Sequence, residues 1–324
     1  VLELIGSRLL QTALLLAVMS VLVFVGVYLI GDPTAMFIGP NMSSADVDRV
    51  RHTMGLDRPL LEQYLRFAAS ALRGDLGVSF THNRPAMAVI LERLPATFEL
   101  ATVAMLLALG LGVPLGLWAG LQPRSASARA VMGFSVLGFS VPGFWIALML
   151  VVVFAVELHW LPATGRGPTR LVLCVPLSIF SIEGWRHLLL PTLTLGLYPL
   201  SLIIRIVRAG TVENLRLDYV RFARAKGIGG ARIVFVHVLK NIAIPLVTIS
   251  GLTFGTLLAF AVVTETIFAW PGMGKLLIDA INLVDRPLIV AYILLIVVIF
   301  AVINLLVDFA YAALDPRIRL GHGR

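Results

Sequence analysis

Few side chains in this sequence are spaced to do chemistry. The nearest approach to a phosphate-binding loop is Gly274-Lys275, but Ala269 stands where the first glycine belongs and Leu276 follows the lysine. Gly227-Ile228-Gly229-Gly230 follows no strand and is not a dinucleotide fingerprint. The six histidines are scattered, with no two at helical i, i+3 or i+4 spacing, and Cys174 is the single cysteine. That pattern offers neither a metal cluster nor an intrachain disulfide. No nucleophile, base and orienting group are grouped for catalysis. Asn304 and Asp308 lie four apart in an apolar run and so share a helix face. Polar groups inside lipid are costly, so this pair is expected to serve helix packing or to line a pathway, with packing favoured. Glu99 and Glu265 stand near the ends of apolar runs and are expected at the membrane interface rather than as substrate ligands. The expectation is a non-catalytic chain without a cofactor of its own.

What must position these residues is membrane. The chain of 324 residues is 59% hydrophobic and 14% charged, against roughly 45–50% and about 25% in soluble domains. Crossing the hydrocarbon core takes about 20 apolar residues as a helix. Six stretches qualify: about Leu9–Ile30, Thr97–Leu121, Ala130–Val156, Leu188–Ile204, Ile242–Val263 and Leu288–Ala312. The first is expected to remain as a span rather than to be cleaved as a leader. Leu171–Ile182 is too short to span, contains Pro176, and is read as interfacial or re-entrant. Gly112, Gly116 and Gly120, and likewise Gly251, Gly255 and Ala259, recur every four residues. That spacing makes a flat strip on which another helix can approach closely.

The domain reading is residues 1–30 as an N-terminal tail and first span, 31–96 as an extracytoplasmic helical loop, and 97–324 as the core. Ser43-Ser44-Ala45-Asp46 reads as a capping box for one helix of that loop. A second helix is expected from Asp57 and Pro59 to Gly74, with Leu61, Tyr64, Leu65, Ala68 and Leu72 on one face. With both termini in the cytoplasm, short inside segments hold fourteen Lys and Arg and short outside loops hold five. The positive-inside rule therefore accounts for the net charge of +8 without a nucleic-acid partner.

Residues 207–241 form the basic loop between the fourth and fifth spans. Leu215, Tyr219, Phe222 and Ala223 are expected to make an apolar stripe on a short charged helix, which Gly227 ends in a left-handed turn. A second helix is expected after Gly229 and Gly230. From pattern alone this could be a docking helix for a partner's groove or an interfacial helix on anionic lipid.

Tyr219 to Gly227, YVRFARAKG, resembles the cytoplasmic docking loop of importer-type ATP-binding-cassette permeases. Arg221 occupies the position where that loop usually carries glutamate. Ala-Arg-Ala-Lys-Gly followed by His237, Asn241 and Pro245 is similar to the dipeptide, oligopeptide and nickel branch. Further collinear matches are GDP at Gly31–Pro33, GLDRPLLEQY at Gly55–Tyr64, GDLGVSF at Gly74–Phe80, RLPATFEL at Arg93–Leu100 and SVPGFW at Ser140–Trp145. FAWPGMGKLLIDAI at Phe268–Ile281 and NLLVDFAYAALDPRIR at Asn304–Arg319 complete the set.

The resemblance implies an all-α polytopic permease subunit of a bacterial inner membrane. It would form half a pathway for short peptides, with glutathione, nickel or a metal chelate as alternative cargo. Its implied partners are a second permease chain, two ATP-binding subunits or domains, and an extracytoplasmic solute-binding protein. ATP and Mg would sit on the partner subunits. Tyr219, Phe222, Ala223, Arg224, Ala225, Lys226 and Gly227 would dock on the ATPase. The competing classes are an ion-coupled secondary transporter, which would show inverted repeats and midplane charges, and a non-transporting membrane scaffold.

Overall fold

The computed structural model describes residues 2–29, 52, 57–173 and 175–314. The Ser43 capping box and the GDP motif lie outside the described residues. The described chain divides into two compact units. One comprises the chain up to Leu94 with Leu276–Ala301, and the other Pro95–Lys275 with the chain from Val302.

The first unit holds α1 (Leu2–Leu29), α2 (Leu60–Leu72) and the first part of α3 (Ala86–Leu121). α2 starts after Pro59, whose φ of −55° is already helical and whose missing N–H costs nothing in the first turn. Phe24 of α1 meets Tyr64 edge-on at 5.5 Å and Phe67 at 5.9 Å. Val23 packs with Val290 and Leu294.

In the second unit α3 continues to Leu121 through Pro114. α4 (Ala126–Ser140) begins at Ser125, whose hydroxyl accepts from the Ala128 N–H at 3.0 Å. α5 (Gly143–Glu157) follows at an angle of 105° and widens into π-helical turns from Val151. The third apolar run was expected as one span and is instead broken here. Val141 precedes Pro142, and a residue before proline is pushed out of the helical region; Val141 sits at φ −83°, ψ 131°. Pro142 then starts the next helix.

Arg170–Val172 (β1) and Val175–Leu177 (β2) form an antiparallel hairpin with Arg170 opposite Leu177. The segment read as interfacial or re-entrant, 171–182, thus holds most of this hairpin and the start of the next helix. Pro176 is tolerated because a two-stranded ribbon has only edges. α6 (Ile182–Asn214) starts at Ser181, which accepts from the Gly184 N–H. It is almost twice as long as the weak fourth span predicted for it.

The remaining elements are α7 (Asp218–Ala225), α8 (Gly230–Phe260), α9 (Val262–Ile267), α10 (Met273–Asn282) and α11 (Arg286–Leu314). α10 and α11 each run from one unit into the other. Among the described residues, α3, α6, α8 and α11 are long and apolar enough to cross a membrane, and the bent α4–α5 pair makes a fifth if counted as one span. α1 is a helix of 28 residues whose described apolar stretch is Leu10–Gly26. Among the described residues, four or five of the six expected spans are counted on length and composition.

The glycine strip on α3 faces α6. A Cβ on Gly112 would lie 2.8 Å from Ile203, one on Gly116 2.7 Å from Val207, and one on Gly120 2.5 Å from Thr211. Each is shorter than a carbon–carbon contact allows, so only glycine permits this approach. The same holds for Gly251 against Val307.

Candidate partner-docking site

α7 is two turns of helix standing between two long apolar helices. Its first turn carries Asp218 and its last Arg224, each at the end its charge suits. The helix stops in a paired hydrogen-bond pattern. Gly227 N–H donates to the Arg224 carbonyl at 2.9 Å, and Ile228 N–H to the Ala223 carbonyl at 3.1 Å. Gly227 lies at φ +74°, the left-handed residue that this helix end demands.

The structure separates the predicted docking residues into two faces. Phe222, Arg224, Ala225, Lys226 and Gly227 are exposed. Val220 and Ala223 are buried, and Tyr219 is partly buried. The expected stripe of Leu215, Tyr219, Phe222 and Ala223 does not form: Leu215 caps the end of α6, and Phe222 points outward at 62% exposure. The Lys226 ammonium lies 4.5 Å from the centre of the Phe222 ring, a cation–π arrangement on the open face. Arg221 pairs at 3.3 Å with Asp218, both largely exposed.

The inward face is tied by polar contacts. Tyr219 Oη donates to Asn214 Oδ1 at 2.7 Å and accepts from Asn241 Nδ2 at 2.8 Å. Asn241 Nδ2 also donates to Asn214 Oδ1 at 3.0 Å. Beside α7 lies a cavity of ≈ 550 Å³ whose walls include Pro114, Leu117, Trp118 and Phe235, with Arg224 among its lining.

Residues 112–320 match the family described as binding-protein-dependent transport system inner membrane component, and residues 1–101 match the N-terminal region of such membrane components. The chain belongs to this permease family. It is 41% identical over 302 residues to the di/tripeptide transport system permease protein DppB of Pseudomonas aeruginosa (strain UCBPP-PA14), covering 89% of this chain and 90% of that one. It is 38% identical over 314 residues to the glutathione transport system permease protein GsiC of Escherichia coli (strain K12), covering 97% of each. An inward-facing structure of the MetNI methionine ABC transporter shares the fold, with TM-score 0.55 and 16% identity over 71% of this chain and 97% of that one.

The permease is thus a multi-pass inner-membrane subunit of an ABC importer. It is a non-enzymatic component that works with ATPase and substrate-binding partners. Its other predicted site residues lie on α11. Asn304 is exposed and Asp308 partly buried on the same helix.

The sequence reading missed the permease's buried carboxylates. Glu99 and Glu265 were expected at an interface, yet both are buried. Glu99 accepts from Arg166 Nε at 3.0 Å, from Ser178 N–H at 2.5 Å and from Ile179 N–H at 2.9 Å. Arg166 lies 5.6 Å from the Trp270 ring centre, and Trp270 Nε1 donates to the Ala96 carbonyl at 2.9 Å. Glu265 accepts from Thr97 Oγ1 at 2.6 Å and from Lys275 N–H at 2.9 Å. Burial pushes the Glu265 carboxyl above the ordinary glutamate value, against the hydrogen bonds that work to lower it. A Cβ on Gly272 would collide with that carboxylate, so the Pro271–Gly274 turn is folded around Glu265.

Asp285, at the start of α11 in the first unit, accepts from Ser79 Oγ at 2.6 Å and from Thr81 N–H and Oγ1 at 3.0 and 2.7 Å. Burial works to raise its pKa, but these hydrogen bonds outweigh it and hold the carboxyl below the ordinary aspartate value.

Proposed function

We propose that this permease forms half of a translocation pathway for short peptides. A second, similar permease chain completes the pathway, and two ATP-binding subunits or domains carry ATP and Mg. The extracytoplasmic solute-binding protein delivers the cargo. The observation that carries the substrate class is the pair of relatives named for di/tripeptide and glutathione transport, similar to this chain over about nine-tenths of its length or more. Glutathione is itself a tripeptide, so both names point to one size and chemistry of cargo.

On this reading α7 is the docking helix. Phe222, Arg224, Ala225, Lys226 and Gly227 meet the ATPase, while Tyr219 and Ala223 hold the helix to its own subunit. The small side chain of Ala225 and the bare backbone of Gly227 let a groove wall come close. The excess of Lys and Arg in the segments joined to α7 puts both termini and this helix in the cytoplasm. Asn304 and Asp308 serve packing against a neighbouring helix of the assembled pathway, or line it. Loaded binding protein and ATP each favour the outward-open state, and hydrolysis restores the inward-open one. Such switching requires each ligand to bind the two states unequally.

The test is uptake by liposomes holding the purified complex. ATP-dependent accumulation of labelled dipeptides, tripeptides or glutathione, and not of nickel ions, is the expected result. Uptake by the permease alone, driven by an ion gradient without any ATPase subunit, would overturn it.

A further inference from the structure

Residues 210–245 contain a joint that the docking reading does not use. Asn214 ends α6, Tyr219 opens α7, and Asn241 lies on α8. Their side chains close a three-membered ring of hydrogen bonds at 2.7, 2.8 and 3.0 Å. The donors balance. The tyrosine hydroxyl gives its one hydrogen to Asn214 and accepts one from Asn241, and the Asn241 amide spends its two hydrogens on Asn214 Oδ1 and Tyr219 Oη. Asn214 Nδ2 turns back to the Gly210 carbonyl at 2.8 Å. A ring in which each group polarises the next is stiffer than separate pairs.

The surroundings explain why a stiff polar ring stands here. One turn back on α6, a Cβ on Gly210 would lie 2.9 Å from Ile242, which is buried. So α6 and α8 touch backbone to side chain directly beside the ring. On α8, residues Ile233–Val238 are wound as wide π-helical turns, a form that concentrates at functional sites. The Tyr219 ring passes over this stretch, 6.4 Å from the His237 ring, and its hydroxyl reaches Asn241 beyond it. Asn241 is also the residue whose carbonyl would accept from position 245. Pro245 has no N–H to give. The ring therefore grips α8 where its hydrogen-bond ladder is interrupted, a bend point with the loose turns on one side and the long apolar helix on the other.

We infer that Tyr219, Asn214 and Asn241 are positioning residues that transmit displacement of α7 to α6 and α8 together. This rests on the reading that α7 docks on the ATPase. Without the ring, a push on α7 is absorbed by the wide turns at Ile233–Val238. With it, the push bypasses them and acts on both long helices at one level.

The experiment uses the full complex with Tyr219→Phe and, separately, Asn214→Ala. Tyr219→Phe keeps the ring packing and removes two hydrogen bonds. Asn214→Ala removes the acceptor that Tyr219 and Asn241 share. Three quantities are measured: ATPase subunits retained on the purified permease, ATP hydrolysis, and peptide taken up per ATP. Tyr219→Phe is expected to leave retention unchanged, to lower the unfolding temperature by no more than a few degrees, and to lower uptake per ATP about tenfold, the scale of two lost hydrogen bonds. Asn214→Ala is expected to lower uptake per ATP on the same scale with the bound ATPase retained. Equal uptake per ATP in Tyr219→Phe and the unaltered complex overturns the inference. So does loss of bound ATPase in Tyr219→Phe, which would make Tyr219 a docking contact instead. Failure of the docking reading shows separately, as retention that survives Ala225→Arg.

Discussion

The two ends of α3 treat charge in opposite ways. At the Ala96 end, Glu99, Arg166 and Glu265 are taken inside and bonded within the chain. At the Leu121 end, α7 leaves Arg221, Arg224 and Lys226 exposed, and the contacts that hold it to its neighbours are neutral: a tyrosine, two asparagines and two small apolar side chains. Charge that is buried must be matched inside the subunit, because an unmatched ion costs several kcal/mol. Charge left outside costs little and remains available to a partner. The first arrangement builds a rigid end, and the second presents charges held only by weak exposed contacts, Arg221 with Asp218 and Lys226 over Phe222.

Breaking the first arrangement is expected to have the largest effect. Arg166 and Glu99 have side-chain exposures of 10% and 1%. Arg166→Met leaves the Glu99 carboxylate buried without its cation, a loss of about 3–5 kcal/mol. The check is chemical or thermal unfolding of the purified permease in detergent. Adding Glu99→Leu is expected to recover part of the loss. Recovery is incomplete because the Ser178 and Ile179 N–H groups then lose their acceptor. A single substitution that leaves unfolding unchanged would mean that the pair is wet and the contrast between the two ends is false.

The span joining the ends is next. Gly116→Ala places a methyl 2.7 Å from Val207 and 2.9 Å from the Ile204 carbonyl. Overpacking of this kind costs about 1–3 kcal/mol. Gly133→Ala meets nothing within 4 Å and replaces glycine in a helix, so it is expected to be neutral or slightly stabilising. Unfolding of the two variants side by side tells contact from composition.

The exposed end is expected to show the reverse signature. Ala225→Arg adds bulk to the open face of α7 without touching its buried side. Stability is expected to change by less than about 0.5 kcal/mol, as for other surface positions. Retention of the ATPase subunits on the affinity-purified permease is expected to fall tenfold or more, about 1.4 kcal/mol of binding. Unchanged retention removes α7 from the docking surface.

The parts of this architecture that local pattern governs were readable in advance. The long apolar runs, the four-residue glycine strip and the helix ended by Gly227 all depend on neighbours a few residues apart. The buried carboxylates depend on partners far away: Arg166 is 67 residues from Glu99, and Thr97 is 168 from Glu265. A glutamate at the end of an apolar run looks the same whether it meets water or a buried guanidinium. The break at Val141–Pro142 was hidden for another reason. Pro95, Pro114, Pro191, Pro199 and Pro245 all lie inside continuous helices, so proline in an apolar run does not by itself mark a break. The hairpin at 170–177 has three-residue strands, too short for an alternating pattern to show. In α7 the helix was legible but its rotation was not. Eight residues are two turns, and which side faces inward is decided by Asn214 and Asn241 on other helices.

The smallest effect concerns Asp285 and is read from the acid limb. Its carboxyl is held below the ordinary aspartate value by Ser79 and Thr81. A carboxylate whose folded pKa is depressed binds fewer protons folded than unfolded just below the unfolded value of about 3.9. Its stabilising contribution is therefore complete at neutral pH and is lost as pH falls from that value through the lower folded one. Glu265 has the opposite sign. Its folded pKa is raised, so its contribution is present below the ordinary glutamate value and fades as pH rises through the folded one. Unfolding of the permease against pH separates them. Asp285→Asn is expected to lower stability at neutral pH, where the carboxylate's contribution is complete, and to flatten the acid limb below about pH 4. If Asp285→Asn leaves both the neutral stability and the slope of the acid limb unchanged, the carboxylate is not the acceptor that the Ser79 and Thr81 hydrogen bonds require.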